Sequence, residues 1–323
     1  MTDILKLLDA EMSFRVGRGF FRGTILTAVD EVSMSLKRGE TLALIGESGS
    51  GKTTLGRLTL RLLEPTGGKI IFDGKDITHV PEGKLSWFRK AAQTIFQDPY
   101  SSLNPTMSVQ SILEEPLEIH HLDERRVNEE MIFSALEDCR LTPQESFLPK
   151  YPHLLSGGQR QRVAIARAII LRPKYIVADE PVSMIDASGR VEILNLLRTL
   201  QVRYGISFLY ITHDIATARY FSDRIAVMYL GRIVEIAPAE ELIRNPLHPY
   251  TVALIGAVPE PDPSNLERER PSVSGEAPVP TEVPVACRFN PRCPKFMKGK
   301  CDEEDPTLEE VAPNHFVACH LYS

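Results

Sequence analysis

The sequence predicts an α/β protein built on a parallel β-sheet that carries a phosphate-binding loop. Three short apolar runs, residues 41–45, 175–178 and 207–211, lack polar alternation, as expected of strands buried on both faces. Polar residues follow each run, and open α/β sheets bind ligands at the carboxyl ends of their strands. A glycine-rich loop follows the first run and leads into helical spacing. Together these features predict one ligand site at one edge of the sheet.

The loop after the first run has the pattern G-x-x-x-x-G-K-[ST] between a strand and a helix, the context in which this pattern binds phosphate. Glycine allows a tight turn with inward N–H groups, and the helix N-terminus adds a positive field. We expect Lys52 to reach the β- and γ-phosphates and the Thr53 hydroxyl to ligate Mg²⁺. The predicted nucleotide-binding residues of the loop are Gly46, Glu47, Ser48, Gly49, Ser50, Gly51, Lys52, Thr53 and Thr54.

Four further residues follow apolar runs and complete the predicted ATP chemistry. Beside the phosphate loop, Asp179 would hold the Mg²⁺ shell and Glu180 would polarise the attacking water as a base. His213 ends the third run, where it could contact the γ-phosphate or the water. Gln97, after residues 94–96, could ligate Mg²⁺ through its carbonyl or orient the water.

A second glycine-rich segment, residues 155–159, precedes a helical pattern over 160–170. Ser156 is its predicted N-cap, which makes the helix start a second anion site. A plain capped helix explains the same residues equally well from one chain alone. If the helix start does reach a phosphate, two such chains could complete ATP sites by pairing head-to-tail.

In this order and spacing, the motifs resemble the nucleotide-binding subunit of ABC transporters. Residues 46–53 are similar to Walker A, Gln97 to the Q-loop, 155–159 to the signature motif and 176–180 to Walker B. Residues 183–186 resemble the D-loop and His213 the switch histidine. The D-loop reads Ser-Met-Ile-Asp rather than the usual Ser-Ala-Leu-Asp, and every catalytic polar residue is present.

The resemblance implies a Mg²⁺-dependent ATPase with a RecA-like P-loop core, an antiparallel β subdomain and a helical signature subdomain. It assigns catalysis to Glu180, His213 and Gln97, and the Mg²⁺ ligands to Thr53, Gln97 and Asp179. It also implies that one group of residues acts on ATP held by a partner cassette, namely Ser156, Gly157, Gly158, Gln159 and Asp186.

Three further segments, residues 95–105, 151–155 and 245–251, are similar to the dipeptide/oligopeptide importer branch. This similarity implies uptake of di- or oligopeptides across the cytoplasmic membrane. The implied partners are a second cassette, expected to be a paralogue in a heterodimer, two integral membrane permease subunits and an extracellular solute-binding protein. Tyr100 and Leu103 are the expected apolar anchors for a permease helix. Two alternatives remain: the same machine importing oligosaccharides, or a soluble ABC ATPase acting on nucleic acid or ribosomes.

The family stacks adenine on an aromatic residue upstream of Walker A. Phe14 is the candidate, because residues 15–24 resemble an insertion between it and a strand over 32–36. Phe20 and Phe21 are the rivals.

Four of the five cysteines lie near the end of the chain in the pattern C-x5-C-x7-C-x17-C: Cys287, Cys293, Cys301 and Cys319. A cytosolic chain does not keep stable disulfides, so four thiols in a loop-rich segment with almost no core suggest a metal staple. Tetrathiolate zinc usually shows C-x2-C pairs, which are absent here, whereas iron–sulfur clusters also take four cysteines. Similar cysteine sets in the importer branch are associated with a [4Fe–4S] cluster. We therefore favour the cluster over zinc or unligated thiols, with His315 and His320 as substitute ligands.

Composition and patterning predict the organisation of the chain. The net charge of −6 over 323 residues disfavours a nucleic-acid-binding surface. No apolar stretch approaches the ~18 residues that span a bilayer, and residues 1–6 lack a secretory signal. We expect a peripheral protein on the cytoplasmic side of the cell membrane. The predicted domains are the nucleotide core with its β subdomain (1–97 and 173–240), the helical subdomain (98–172) and a C-terminal extension (241–323) with a Pro-rich linker and the cysteine cluster. Residues from about 173 to 240 are expected to complete the parallel sheet.

Overall fold

The computed structural model describes residues 2–16, 24–121, 125–257 and 283–323, which fall into two compact units. The described residues of the first unit belong to Met1–Ile4, Leu36–Glu40 and His79–Tyr210, and those of the second to Leu5–Ser35, Thr41–Thr78 and Ile211–Ser323. Within these described ranges, no helix is both long and apolar enough to cross a membrane.

The second unit contains the predicted antiparallel sheet. Its strands, numbered in chain order, are β1 (Asp3–Val16), β2 (Thr24–Lys37), β4 (Gly67–Phe72) and β5 (Lys75–Asp76). Their order is β2-β1-β4-β5, and β1 runs antiparallel to β4 with Leu5 opposite Phe72. Both side chains are buried, so one face of the sheet covers the core.

A second sheet in this unit positions the phosphate loop. Its strand order is β3 (Thr41–Ile45), β9 (Arg224–Tyr229), β10 (Arg232–Pro238), β12 (His315–Val317) and β11 (Glu309–Ala312). β3 and β9 are parallel, but β10 returns antiparallel to β9, so the prediction that the parallel sheet extends to residue 240 is wrong. Leu230 and Gly231, with φ of 43° and 87°, make the tight turn that a hairpin requires. The helices are α1 (Lys52–Thr59), α8 (Ile215–Phe221), α9 (Ala239–Arg244) and α10 (Pro249–Gly256).

The cysteine-bearing segment is attached to this sheet rather than being an appendage with almost no core. β12 pairs antiparallel with β10, placing Val317 opposite Glu235. Phe289 and Val317 are 1% and 2% exposed, so the segment contributes apolar side chains to the interior. Sheet pairing over a sequence distance of eighty residues leaves no local pattern, which is why the sequence did not indicate it.

The first unit holds strands β6 (Ala92–Ile95), β7 (Tyr175–Asp179) and β8 (Ser207–Ile211) in the order β8-β7-β6, with β6 and β7 parallel. Its helices are α2 (Ser86–Ala91), α3 (Pro99–Ser102), α4 (Val109–Ile119), α5 (Arg125–Asp138), α6 (Gly157–Ile169) and α7 (Ala187–Tyr204). The helix-rich segment predicted over 98–172 corresponds to α3 to α6. Strands β7 and β8 are buried along nearly their whole length, in agreement with their apolar sequences.

Candidate active site

The phosphate loop leaves a fully buried strand and enters α1. Two glycines are required by close backbone approaches. A Cβ on Gly46 would lie 2.2 Å from the Met228 carbonyl oxygen, and one on Gly51 would lie 2.2 Å from that of Ala28. Gly51 also has φ of +105°, which side chains rarely adopt. The loop is therefore wedged between β9 and β2 and turns directly into the helix N-terminus.

Lys52 is buried and its ammonium group faces the inside of the loop. Nζ donates to the carbonyl oxygens of Gly46 and Glu47, both at 2.8 Å. These contacts hold the charge at the centre of the loop, where a triphosphate would be neutralised. Thr53, the next residue of the helix, is exposed, as a hydroxyl that ligates Mg²⁺ must be.

His213 also belongs to the second unit. It follows the last residues of β8 and Thr212, and its side chain is exposed. Asp214 then caps α8, accepting hydrogen bonds from the N–H groups of Ala216 at 2.9 Å and Thr217 at 3.3 Å. The cap fixes the backbone beside His213.

In the first unit, Gln97 and Glu180 meet. β6 and β7 are parallel neighbours, so the residues that follow them lie at the same sheet edge. Gln97 Nε2 donates to Glu180 Oε2 at 2.8 Å. Glu180 has φ of +46°, a strained backbone conformation for a residue with a side chain. Asp179, one residue earlier, ends β7 and is half-buried.

Ser156 is the N-cap of α6, as the sequence predicts. Its Oγ accepts the Gln159 N–H at 3.2 Å, and Gln159 Oε1 accepts the Ser156 N–H at 3.1 Å. This capping box satisfies two backbone donors at the helix start. Gly157 and Gly158 have no neighbouring atom within 4 Å of an added Cβ, which leaves open space over the first turn.

Asp186 has a structural role besides the one that the sequence suggests. Its side chain caps α7 by accepting the Gly189 N–H at 2.8 Å and the Ser188 hydroxyl at 2.7 Å. These two hydrogen bonds, the one from Gly189 first, lower the pKa of Asp186 below its ordinary value. The carboxylate is thus charged and held at the start of the helix.

Two aromatic predictions have different outcomes. Phe14 lies half-buried near the end of β1 and remains a prediction, while Phe20 and Phe21 lie outside the described residues. Tyr100 is 61% exposed, with the Arg160 guanidinium 3.7 Å from its ring centroid, so it is available as a surface anchor. Leu103 is 1% exposed and is not an anchor, since it packs inside the helical segment.

The four late cysteines are free thiols, of which Cys287 and Cys301 are buried and Cys293 and Cys319 are half-buried. Burial raises the pKa of Cys287 to about 12, and the other three thiols add to the rise. Burial is also the main cause of the raised pKa values of Cys293 and Cys319. In these three thiols a backbone N–H two residues further on, that of Phe289, Lys295 or Leu321, partly opposes the rise of the pKa.

Within the part of the chain that the structure describes, no three His, Cys, Asp or Glu side chains are close enough to hold a single metal ion. The two histidines considered as substitutes are engaged elsewhere. His315 Nε2 lies 2.7 Å from the Glu235 carboxylate, and His320 Nε2 lies 3.0 Å from the Glu304 carbonyl oxygen. Cys139, by contrast, is a buried residue of the first unit.

Two residues contact the phosphate loop in a way that the sequence did not indicate, although one of them, Tyr250, lies in the segment 245–251 that is similar to the importer branch. Tyr250 and Arg292 both contact Glu47, from sequence distances of 203 and 245 residues. A tyrosine in a helix and an arginine beside a cysteine are unremarkable locally, and only the fold brings them to the loop.

Comparisons with known proteins agree with this arrangement. The family described as "ABC transporter" matches residues 29–183, and the one described as "Oligopeptide/dipeptide transporter, C-terminal region" matches residues 234–301. The oligopeptide transport ATP-binding protein AppF of Bacillus subtilis is 46% identical over 99% of this chain and 98% of its own length.

Two solved structures are similar at 29% sequence identity. One is a dimeric post-hydrolysis state of the ATP-binding cassette MJ0796 bound to ADP and Pi, with a TM-score of 0.65 over 73% of this chain and 98% of that chain. The other is cbiO1 of Clostridium perfringens, part of the transporter complex cbiONQ, with a TM-score of 0.64 over 76% and 92%. These similarities identify the α/β sheets as a RecA-like cassette core.

Proposed function

Because the chain belongs to the ABC transporter family, in its oligopeptide and dipeptide branch, we propose that it powers peptide import by hydrolysing ATP. The likeness to AppF over the full length supports peptides over oligosaccharides, and no comparison favours a soluble ATPase acting on nucleic acid or ribosomes. The observation that carries the mechanism is the hydrogen bond between Gln97 and Glu180 at the ends of neighbouring strands.

The phosphate loop binds the triphosphate of ATP. Lys52 would turn from the loop carbonyls to the β- and γ-phosphates, and Thr53, Gln97 and Asp179 would hold Mg²⁺. When bound there, the cation would supply charge neutralisation at the phosphate oxygens. Phe14 stacks on the adenine. The buried position of Lys52 supports this role, because its charge is already inside the loop.

Glu180 acts as the general base. Its carboxylate accepts a proton from the attacking water, and the Gln97 amide holds that carboxylate in one orientation. His213, which is exposed just after β8, contacts the γ-phosphate. The positive φ of Glu180 directs its side chain away from the strand. This backbone conformation costs energy, and a surface residue without a function would not need it.

The second set of residues acts across a dimer of cassettes. The open first turn of α6 receives the γ-phosphate of ATP bound to the partner, through Ser156, Gly157 and Gly158 with Gln159 bracing the cap. Asp186 organises the segment beside it. Closure excludes water, and hydrolysis places extra charge between the products and reopens the dimer. The partner is a paralogous cassette, and the movement drives two permease subunits that receive peptide from a binding protein, with this subunit peripheral on the cytoplasmic side.

The variant Glu180→Gln tests this proposal in the assembled transporter. We expect ATP binding to be retained, phosphate release to fall by about 10²- to 10⁴-fold and uptake of a labelled tripeptide to stop. Glu192→Gln, an exposed carboxylate paired with Arg162, is the matched control. Normal turnover by Glu180→Gln would remove it from the catalytic role, and wild-type uptake of a labelled trisaccharide instead of the peptide would favour the alternative substrate.

We also propose that Cys287, Cys293, Cys301 and Cys319 hold a structural [4Fe–4S] cluster. All four are free thiols, with Cys287 and Cys301 buried and Cys293 and Cys319 half-buried. Iron–sulfur clusters take four cysteines at wide spacings, whereas tetrathiolate zinc usually shows the C-x2-C pairs that are absent from this sequence.

Metal analysis of anaerobically purified protein tests the cluster. We expect about four iron and four acid-labile sulfide per chain with broad absorbance near ~400 nm. Cys293→Ser should lower both contents, whereas Cys139→Ser, in the first unit, should not. Stoichiometric zinc or no metal would overturn the cluster and leave the ATPase assignment intact.

A further inference from the structure

Glu47, the second residue of the phosphate loop, forms a two-pronged ion pair with Arg292. Arg292 Nη1 lies 2.9 Å from Glu47 Oε2, and Nη2 lies 3.0 Å from Oε1. The arginine side chain is only 8% exposed and the glutamate 27%, so water screens the pair less than at an open surface. Such parallel bonds fix direction as well as distance. The guanidinium therefore determines where the Glu47 side chain lies.

The backbone of Glu47 is held from the same side. Its N–H donates to the Tyr250 hydroxyl at 2.8 Å. Tyr250 is fully buried, with its ring centroid 4.6 Å from that of Tyr229 and 5.5 Å from that of Phe289. Arg292 Nη1 also reaches the Tyr229 hydroxyl at 3.4 Å. The same cluster of aromatic side chains, Tyr229, Tyr250 and Phe289, therefore supports both the side-chain contact and the backbone contact of Glu47.

A third contact supports the middle of the loop. The Gly231 N–H donates to the Ser50 carbonyl oxygen at 2.8 Å. Arg288, four residues before Arg292, donates to the neighbouring Leu230 carbonyl oxygen and to the Asp30 carboxylate. Two arginines of the cysteine-bearing segment thus reach the phosphate loop, one directly and one through the β9–β10 turn.

The backbone carbonyl oxygen of Glu47 belongs to the inside of the loop. It accepts a hydrogen bond from Lys52 Nζ at 2.8 Å and one from the Ser50 N–H at 3.2 Å. Any displacement of Glu47 therefore moves an acceptor of the lysine that binds phosphate. The carboxylate of Glu47 is in addition a negative charge on a loop that must receive a triphosphate, and Arg292 neutralises it. The pairing with Glu47 is the main cause of the raised pKa of Arg292, so the charge persists at every physiological pH.

We propose that Arg292 is a positioning residue of the ATP site, which holds and neutralises Glu47 so that the affinity for ATP depends on the cysteine-bearing segment. This inference rests on the proposed function, because it presumes that the loop binds ATP. Arg292 does not touch the nucleotide. It acts through Glu47, and the same contact makes residues 287–293 part of the support of the loop.

The test measures ATP affinity at equilibrium and the ATP KM and kcat of the full-length protein in its transporter. Arg292→Gln leaves the Glu47 charge unpaired beside the triphosphate and should weaken ATP binding by about tenfold. Because the loss is in binding, kcat at saturating ATP should change by less than about twofold. Arg292→Lys, which keeps the charge without the fork, should fall between Arg292→Gln and wild type.

A double-variant cycle separates positioning from a general effect on folding. Glu47→Gln removes the carboxylate without touching the cysteine-bearing segment, and it still reports if Arg292→Gln folds poorly. Each change alone already breaks the ion pair between Glu47 and Arg292. The double variant should therefore bind ATP no more weakly than Arg292→Gln alone. Arg244→Gln, an exposed arginine paired with Glu240, is the control and should bind ATP like wild type.

Two results would overturn the inference: wild-type ATP affinity in Arg292→Gln, or losses in the two single variants that simply add in the double variant. Failure of the proposed function looks different. In that case wild type itself would not bind ATP, and Lys52→Ala would change nothing.

Discussion

At the scale of single residues, the phosphate loop depends on glycines for two separate reasons. Gly51 combines a positive φ with a backbone oxygen in the place of a Cβ, whereas Gly49, with φ of +81°, has open space around it. Backbone strain alone costs about 1–2 kcal/mol for a residue with a side chain. Of these two glycines, only Gly51 adds a steric clash, with the Ala28 carbonyl oxygen of β2.

We therefore expect Gly51→Ala to abolish ATP binding and to lower the free energy of unfolding by more than Gly49→Ala, which should lose about 1–2 kcal/mol. Gly157→Ala, with ordinary φ and no close neighbour, is the control and should leave stability nearly unchanged. Urea unfolding measures all three. Equal losses at Gly51 and Gly49 would show that the wedge against Ala28 is unimportant.

The sequence predicted the strand, the glycine loop and the helix start correctly, because all three are local features. It also identified Gln97 and Glu180 individually, and their pairing follows from parallel neighbouring strands. Leu103 was misjudged, since a proline- and serine-rich stretch looks exposed while its one leucine turns inward. Burial of a single side chain depends on packing that the surrounding sequence does not reveal.

At the scale of elements, helix caps carry part of the proposed chemistry. Ser156 and Ser108 cap α6 and α4 in the same way, each accepting the N–H three residues on at 3.2 Å. Only the first cap belongs to the signature segment. The two serines therefore separate the energy of a cap from a role in catalysis.

We expect Ser156→Ala and Ser108→Ala each to lower the free energy of unfolding by about 1 kcal/mol. Only Ser156→Ala should also reduce ATP turnover, because Ser108 lies outside the proposed site. Ser156→Thr should restore the cap. Denaturant unfolding and phosphate release distinguish the effects, and equal turnover in the two alanine variants would leave Ser156 with a capping role alone.

The cap of α10 is a buried histidine. His248 Nδ1 accepts the Tyr250 N–H at 3.0 Å, and the backbone N–H of His248 donates to the buried Glu235 carboxylate at 3.0 Å. Burial lowers the pKa of His248 from 6.5 to about 4, although Glu235 opposes the shift. The folded protein thus excludes a proton that the unfolded chain binds between those values, so stability falls as the pH drops below 6.5.

On acidification from pH 7 to 4.5, we expect His248 to contribute a loss of about 2–3 kcal/mol in the free energy of unfolding. His248→Asn keeps a cap but cannot titrate, and it should lose that much less than wild type over the same range. His153→Asn, an exposed histidine, is the control. Identical pH profiles for wild type and His248→Asn would contradict the assignment.

At the scale of the whole molecule, the proposed site requires two cassettes, because the residues of the signature segment act on the partner's ATP. We expect the purified chain alone to turn over ATP slowly, and addition of the paralogous cassette with its permease to raise turnover per chain by about 10²-fold. Measurement of phosphate release against protein concentration checks this. Full activity in dilute protein, independent of concentration and partner, would contradict the dimeric mechanism.

Pairings between distant segments were the features that the sequence could not predict. β10 was assigned to a parallel sheet, although the turn at Leu230 and Gly231 is a local signal for its hairpin with β9. Its pairing with β12, some eighty residues away, leaves no local pattern. The spacing of the four cysteines was visible, but their attachment to the core was not. Local motifs were therefore enough to predict the candidate site residues. The contacts between distant segments that support those residues could not be predicted from local patterns.

The contact between Glu47 and Arg292 joins residues 245 positions apart and therefore has a consequence for synthesis. A ribosome adds about 5–20 residues per second, so the loop emerges on the order of ten seconds or more before the arginine that holds it. During that interval the nascent nucleotide core can form its strands while Glu47 has no arginine beside it. Completion of the ATP site is thus among the last events of folding, which favours nucleotide binding by finished chains over nascent ones.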